Sequence, residues 1–238
     1  MAKKQYTIII DTETTITDKV VDFGAAVVDR NGKVHAQCAV LVNGIFGVDA
    51  LFFKRSDEAS SIWSVQGKDR RFDAYNKMLE SGTRQMASIG AINRWLERVR
   101  GKYNPTLTAY NLAFDVGKCR NTDIDLSIFD ERFCLWYAAA DKWAETKAYR
   151  EFVLENHLFS PPTALGNMSY RTNAENMVRF VLNDPHLEDE PHTSLEDVLY
   201  YELPIFQKLV KNTSRKDYMT PKGYNWRNYQ VKDWFKAK

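Results

Sequence analysis

Near the amino terminus an apolar run, Ile8-Ile9-Ile10, passes at once into Asp11-Thr12-Glu13. A charge buried without a partner is costly, so a core strand that ends this way needs a reason. Side chains two apart on a strand share a face, and Asp11 and Glu13 therefore project together. Held close, they repel unless a cation sits between them, and hard oxygen donors of this kind suit Mg²⁺ or Mn²⁺. Taken alone, a D-x-E pattern is more often a pair of solvated carboxylates at a strand end.

Further candidates lie downstream. The stretch TAYNLAFDVGKC places Asp115 just past a short apolar segment, after Asn111 and Phe114. The stretch PHTSLEDVLYYELPIF places His192 five residues before Asp197. Thr193 and Ser194 are good helix N-caps, and Thr193-x-x-Glu196 fits a capping box. Asp197 then falls in a first helical turn, where the helix dipole favours an anion. Taken singly, Asp197 is better explained by helix-end stabilisation and His192 by a surface loop.

These residues need elements to position them. Tyr6–Asp11 reads as a buried strand and Val20–Asp29 as a second. Asn31-Gly32 is a strong hairpin signal, and Lys33–Val42 returns as a third strand. Residues 46–82 mix aromatics, glycine and charge, and only a short helix over Arg71–Leu79 is expected there. Its basic residues Lys68, Arg70 and Arg71 form a cluster that could touch a substrate, although a solvated surface is the better expectation for them. Ile89, Ile92, Trp95, Leu96 and Val99 recur at helical spacing and predict a helix over Ser88–Arg100, closed by Gly101 and Pro105. Thr106–Tyr110 predicts a fourth strand, a helix starts near Asp115, and Ile128–Leu135 predicts a fifth strand. Helices are expected over Ala138–His157, Asn173–Leu182 and Ser194–Val210, the last kinked by Pro204. A three-strand antiparallel opening followed by alternating helix and strand implies a mixed sheet flanked by helices.

Composition narrows the class. The chain has 238 residues, 44% of them hydrophobic, enough for one large domain. No apolar run approaches the roughly 20 residues of a bilayer span, so no membrane association is expected. Three cysteines without C-x-x-C spacing argue against a disulfide framework or zinc cluster. With no signal-peptide pattern at Met1-Ala2-Lys3-Lys4, the expected compartment is a reducing cytoplasm. Charge is uneven. Residues 211–238 hold eight Lys/Arg against two Asp/Glu, a net +6, and the rest of the chain is −4. This basic tail carries six large aromatics, a composition suited to single-stranded nucleic acid; packing against the body is the stronger expectation, because so many large rings are seldom left exposed.

Together, Asp11-Thr12-Glu13-Thr14, Asn111 to Asp115 and His192 to Asp197 resemble, in order, the D-x-E-T, N-x-x-F-D and H-x4-D motifs of the DEDDh 3′–5′ exonucleases. That family includes proofreading subunits, ribonuclease T and oligoribonucleases. Tyr110 stands where many relatives carry histidine. The resemblance covers roughly residues 5–210. It implies a ribonuclease-H-like α/β fold with a five-stranded mixed sheet, and a domain over residues 1–210 followed by an extension over 211–238. It also implies that Asp11, Glu13, Asp115 and Asp197 hold two Mg²⁺ (or Mn²⁺) ions and that His192 is the general base. An unperturbed imidazole titrates at about 6.5, which suits that role. The implied reaction is stepwise phosphodiester hydrolysis from a free 3′ end, releasing nucleoside 5′-monophosphates from a single-stranded nucleic acid. Thr12, Thr14, Thr15, Asn111 and Phe114 are candidates for substrate contact. For the threonines, β-propensity and turn chemistry are an equally good explanation. Two other readings remain open: an inactive nucleic-acid-binding module of the same fold, and a ribonuclease-H-like endonuclease. DNA cannot be told from RNA by these motifs, and no feature sets the oligomeric state.

Overall fold

The computed structural model describes residues 5–51, 64–65, 68–69, 71–160, 166–223 and 225–231. Among them, the chain forms an α/β fold around a six-stranded mixed sheet. Strands β1 (Tyr6–Thr14), β2 (Val20–Asp29) and β3 (Val34–Val42) form the antiparallel opening. After helix α1 (Arg71–Ser81) come strand β4 (Gln85–Ala87), helix α2 (Ile89–Tyr103) and strand β5 (Thr106–Ala109). Helix α3 (Leu112–Asn121) and strand β6 (Arg132–Cys134) follow. The order across the sheet is β4-β3-β2-β1-β5-β6, with β4, β5 and β6 joined in parallel.

The five strands expected from sequence are thus six. The additional one, β4, is three residues long, and its Gln85 and Met86 are exposed. It sits at the sheet edge with almost no apolar signature, so its ladder with Val40–Val42 rather than its composition defines it.

The remaining helices cover the sheet. Helix α4 (Leu135–Ala139) continues into a π-helical turn, Ala140–Ala144, before α5 (Lys147–Glu155) and α6 (Ala174–Leu182). Helix α7 (Ser194–Asp197) passes through a second π-helical turn, Val198–Glu202, into α8 (Leu203–Asn212). Pro204 lies just beyond that turn. Having no N–H, it cannot continue an α-helical ladder backwards, and the wider turn precedes it where a kink was expected.

The alternation of β1 assigns its side chains to two layers. Ile8 and Ile10 pack with Ile92, Leu96 and Val99 of α2 and with Leu112 and Cys119 of α3. Ile9 packs on the other face, with Leu135, Met177, Val178, Ile205 and Leu209. A third cluster of Val21, Leu41, Leu51 and Tyr75 seats α1.

The loops follow local chemistry. Ser88 caps α2 by accepting the Ala91 amide, and Asn104, in the left-handed region, ends it, so Gly101 lies inside the helix rather than after it. In the β2–β3 turn, Gly32 alone takes a positive φ (78°), and the Asp29 carboxylate accepts the amides of Asn31 and Lys33.

Part of the basic extension lies on the body. Helix α9 (Arg215–Met219) sets Tyr218 against Phe133 at 5.2 Å, and Arg215 pairs with Glu131 at 2.6 Å. Gln230–Val231 pairs with Met168–Ser169 as a two-stranded ladder. Tyr224, Trp234 and Phe235 lie outside the described residues. Among the described residues no helix is long and apolar enough to cross a membrane.

Candidate functional site

Asp11 and Glu13 are in phase with Ile9 and leave β1 on that face, while Thr12 is in phase with Ile8 and Ile10 and leaves on the other. Helix α3 lies on the Thr12 side. The Thr12 hydroxyl donates to Asp115 Oδ1 at 2.9 Å, so the alternation of a single strand ties the second motif to the first. Because β1 and β5 run parallel, the turn after β5 delivers Asn111 and α3 beside the end of β1. Asn111 makes that turn in the left-handed region, with φ of 78° and no side-chain cap. Asp115 falls in the first turn of α3 and is buried.

Helix α7 brings the third motif. Glu13 Oε1 lies 3.8 Å from His192 Nδ1, and ligand atoms of Glu13, His192 and Asp197 all lie within 4.8 Å of one another. His192 takes a left-handed backbone, φ 53°, in the loop before the helix. The capping box expected at Thr193 is not formed. The Thr193 side chain makes no capping bond, and Glu196 is drawn away to Arg84.

A buried clamp seats this helix. Asp22 of β2, opposite Glu13 in the ladder, accepts the Ser194 amide at 2.9 Å and pairs with Arg84 at 3.2 Å. Arg84 also pairs with both oxygens of Glu196. The side chains of Asp22 and Arg84 are both fully excluded from solvent. Beside them, Gly24 lets the helix start rest on the strand backbone. A Cβ there would lie 2.3 Å from Ser194 C and 2.4 Å from Leu195 N.

The electrostatics are those of carboxylates crowded away from water. Burial pushes Asp11 up to about 7, and Asp22 adds to the rise. Burial and then Asp11 push Glu13 well above the usual range, with Arg71 opposing. Burial and then Asp11 likewise raise Asp115, against the pull of the Thr12 hydroxyl. Asp197 rises through burial and through Glu190, Asp11 and Glu13.

Two further acids share this field, and neither belongs to the motifs. Glu202, from the π-helical turn, is buried and is raised by its burial and by Asp11 and Asp115; its Oε1 accepts the Tyr110 amide at 3.1 Å. Glu190, in the loop before His192, is raised by burial, Glu175 and Asp11. Glu202 had a legible signal, since it is the one acid in the apolar run VLYYELPIF. Glu190 lies in the mixed stretch LEDEP and had none.

Asp11 Oδ2, Asp197 Oδ1 and Glu202 Oε2 are buried and have no hydrogen-bond partner among the described residues. Buried polar oxygens are rarely left so. Orphaned carboxylate oxygens among mutually repelling acids fit a hard divalent cation; the group brought within ligating distance of one another is Glu13, His192 and Asp197, and Asp11 and Asp115 stand outside it.

The other candidates separate. Thr12, Thr14 and Thr15 are buried. The Thr12 hydroxyl serves Asp115, and that of Thr15 bonds Thr17 and the Lys19 amide. Phe114 is exposed, with the Lys118 ammonium 4.8 Å from its ring centre. Arg71 is not on a solvated surface: it is buried and its Nη1 lies 3.1 Å from Glu13 Oε2. Lys68 is described only in its backbone and Arg70 lies outside the described residues.

A scan against protein-family models, a search of the curated proteins and a search of the solved structures each return no match to this chain.

Proposed function

We propose that this chain is a metal-dependent 3′–5′ exonuclease of the DEDDh type on a ribonuclease-H-like fold. The observation that carries the reading is the grouping of Glu13, His192 and Asp197 at the end of β1, with Asp11 and Asp115 close enough for their charges to act on that group and on each other, and with carboxylate oxygens of Asp11 and Asp197 that have no hydrogen-bond partner among the described residues. The six-stranded mixed sheet is compatible with that fold, and its site lies where α/β sheets commonly bind ligands, at the carboxyl end of parallel strands.

In this reading Asp11, Glu13, Asp115 and Asp197 hold two Mg²⁺ or Mn²⁺ ions. When bound, these neutralise charge on the phosphodiester and make water nucleophilic at neutral pH. Thr12 orients Asp115, and the Asp22–Arg84 clamp sets the distance of Asp197 and His192 from β1. His192, with Nδ1 turned toward Glu13, takes the proton of the attacking water at Nε2. Phe114 offers its ring to an unpaired base, a contact that tolerates any sequence. The substrate is a nucleic acid with a single-stranded 3′ end, and the product is a nucleoside 5′-monophosphate. Three free cysteines suit a reducing cytoplasm.

The test uses 5′-labelled single strands of DNA and RNA with Mg²⁺, with EDTA in parallel. A ladder shortening from the 3′ end, absent in EDTA and in Asp11→Asn, is expected, and a circular single strand stays intact. Cleavage of the circle would make the protein an endonuclease. Folded protein that binds the strands without shortening them would make it a binding module.

A further inference from the structure

We infer that Arg71 is a substrate residue whose guanidinium receives the phosphate at the reacting end of the strand. The inference rests on the exonuclease reading and adds to it a phosphate contact that none of the three motifs contains.

Among the described residues, Glu13 is divided between two neighbours. Its Oε1 faces His192 Nδ1 at 3.8 Å and belongs to the group that includes Asp197. Its Oε2 lies 3.1 Å from Arg71 Nη1. Arg71 therefore stands one carboxylate away from the proposed general base and metal donors, and it is 4% exposed.

A counterion role alone sits badly with the chemistry. A guanidinium on Glu13 competes with any cation that Glu13 must hold. The arrangement gains a use once an anion arrives. A phosphate brought beside Glu13 meets the planar fork of Arg71, which matches phosphate oxygens in two parallel bonds. A cation then takes the carboxylate and the arginine takes the phosphate. Low local polarity strengthens both contacts.

Helix α1 is fixed in a way that fits this use. Tyr75 lies one turn after Arg71, is fully buried, and brings its hydroxyl within 3.5 Å of the His192 carbonyl. One face of α1 thus reaches both Glu13 and the His192 loop.

The experiment measures binding rather than turnover. Calorimetric titrations of adenosine 5′-monophosphate, with adenosine as control, are made in Mg²⁺ on the wild type, Arg71→Met and Arg71→Lys, after circular dichroism confirms each fold. Mg²⁺ is also titrated alone. Loss of a charged hydrogen-bond pair predicts that Arg71→Met binds the monophosphate about 10- to 100-fold more weakly. It should bind Mg²⁺ as well as the wild type or better. Arg71→Lys keeps the charge without the fork and should fall between the two. Monophosphate affinity unchanged in either folded variant overturns the inference and leaves the exonuclease reading intact. Wild-type protein that binds neither Mg²⁺ nor the monophosphate overturns both.

Discussion

Replacing Arg84 by methionine tests whether the third motif is held by a buried charge network. Methionine fills much of the same volume and carries no charge. The substitution leaves the Asp22 carboxylate at zero exposure with Ser194 as its remaining hydrogen-bond partner among the described residues, and it strands Glu196 as well. Removing one partner of a buried pair costs about 3–5 kcal/mol, because the remaining charge is uncompensated. An exposed pair would cost about 0–1 kcal/mol. For a chain of this size the larger figure corresponds to a melting point lowered by about 6–20 °C. Urea unfolding monitored by circular dichroism gives the free energy directly. Two controls isolate the cause. Asp22→Asn in the Arg84→Met background should restore a large part of the loss, since asparagine keeps an oxygen for the Ser194 amide without the charge. The loss should also be smaller at pH 5.5 than at pH 8. Burial already pushes Asp22 upward against Arg84 and Ser194, so without Arg84 it takes a proton more readily and as a neutral acid needs no counterion. A loss below about 1 kcal/mol at pH 8 would refute the reasoning, as would no recovery in the double variant.

Three other outcomes follow from the same structure. Gly24→Ala should unseat the start of α7, because its Cβ meets backbone at 2.3 Å; a cost above about 3 kcal/mol is expected in urea unfolding, as for severe steric conflict in a core. Asp11→Asn should abolish the proposed nuclease activity yet raise the melting point in EDTA, because it removes a buried carboxylate with an oxygen unpaired among the described residues; a lower melting point would contradict that. In EDTA the wild type should also lose stability between pH 5 and pH 8. Asp11 sits at about 7 in the folded chain against 3.8 unperturbed, so the folded state binds more protons and stability falls as pH rises through that window. Saturating Mg²⁺ should flatten or reverse the slope in the same urea titrations.

Much of the frame was legible because it follows from short-range periodicity. The strands β1 to β3 and the α2 helix were readable from alternation and from the 3.6-residue repeat. The motif acids were readable because each interrupts an apolar run or starts a helix. What escaped depends on contacts distant in sequence. Arg84 and Asp22 are 62 residues apart, and nothing local to either says that they meet. Arg71 looked like one of three surface cations, and only the fold brings it to Glu13. The Thr193-x-x-Glu196 capping box was a sound local expectation that lost to a tertiary one: Arg84 offers Glu196 a full charge, where the helix start offers a backbone amide. Strand β4 was hidden because it is an edge strand with exposed side chains, defined by its ladder and not by its residues.

The contact at Gly24 has a consequence for how this protein tolerates change. Side chains that hold two elements apart act as adjustable spacers, since a new rotamer or a lost methylene shifts the gap. Here β2 and the start of α7 touch main chain to main chain, and no spacer intervenes. With the Asp22–Arg84 clamp holding α7 in place, the closest approach between β2 and α7 is set by peptide geometry and not by the size of a side chain. The surrounding core can drift from one apolar residue to another while that separation stays fixed. A sequence can thus wander far at its packing positions and still carry the same close approach of β2 to α7.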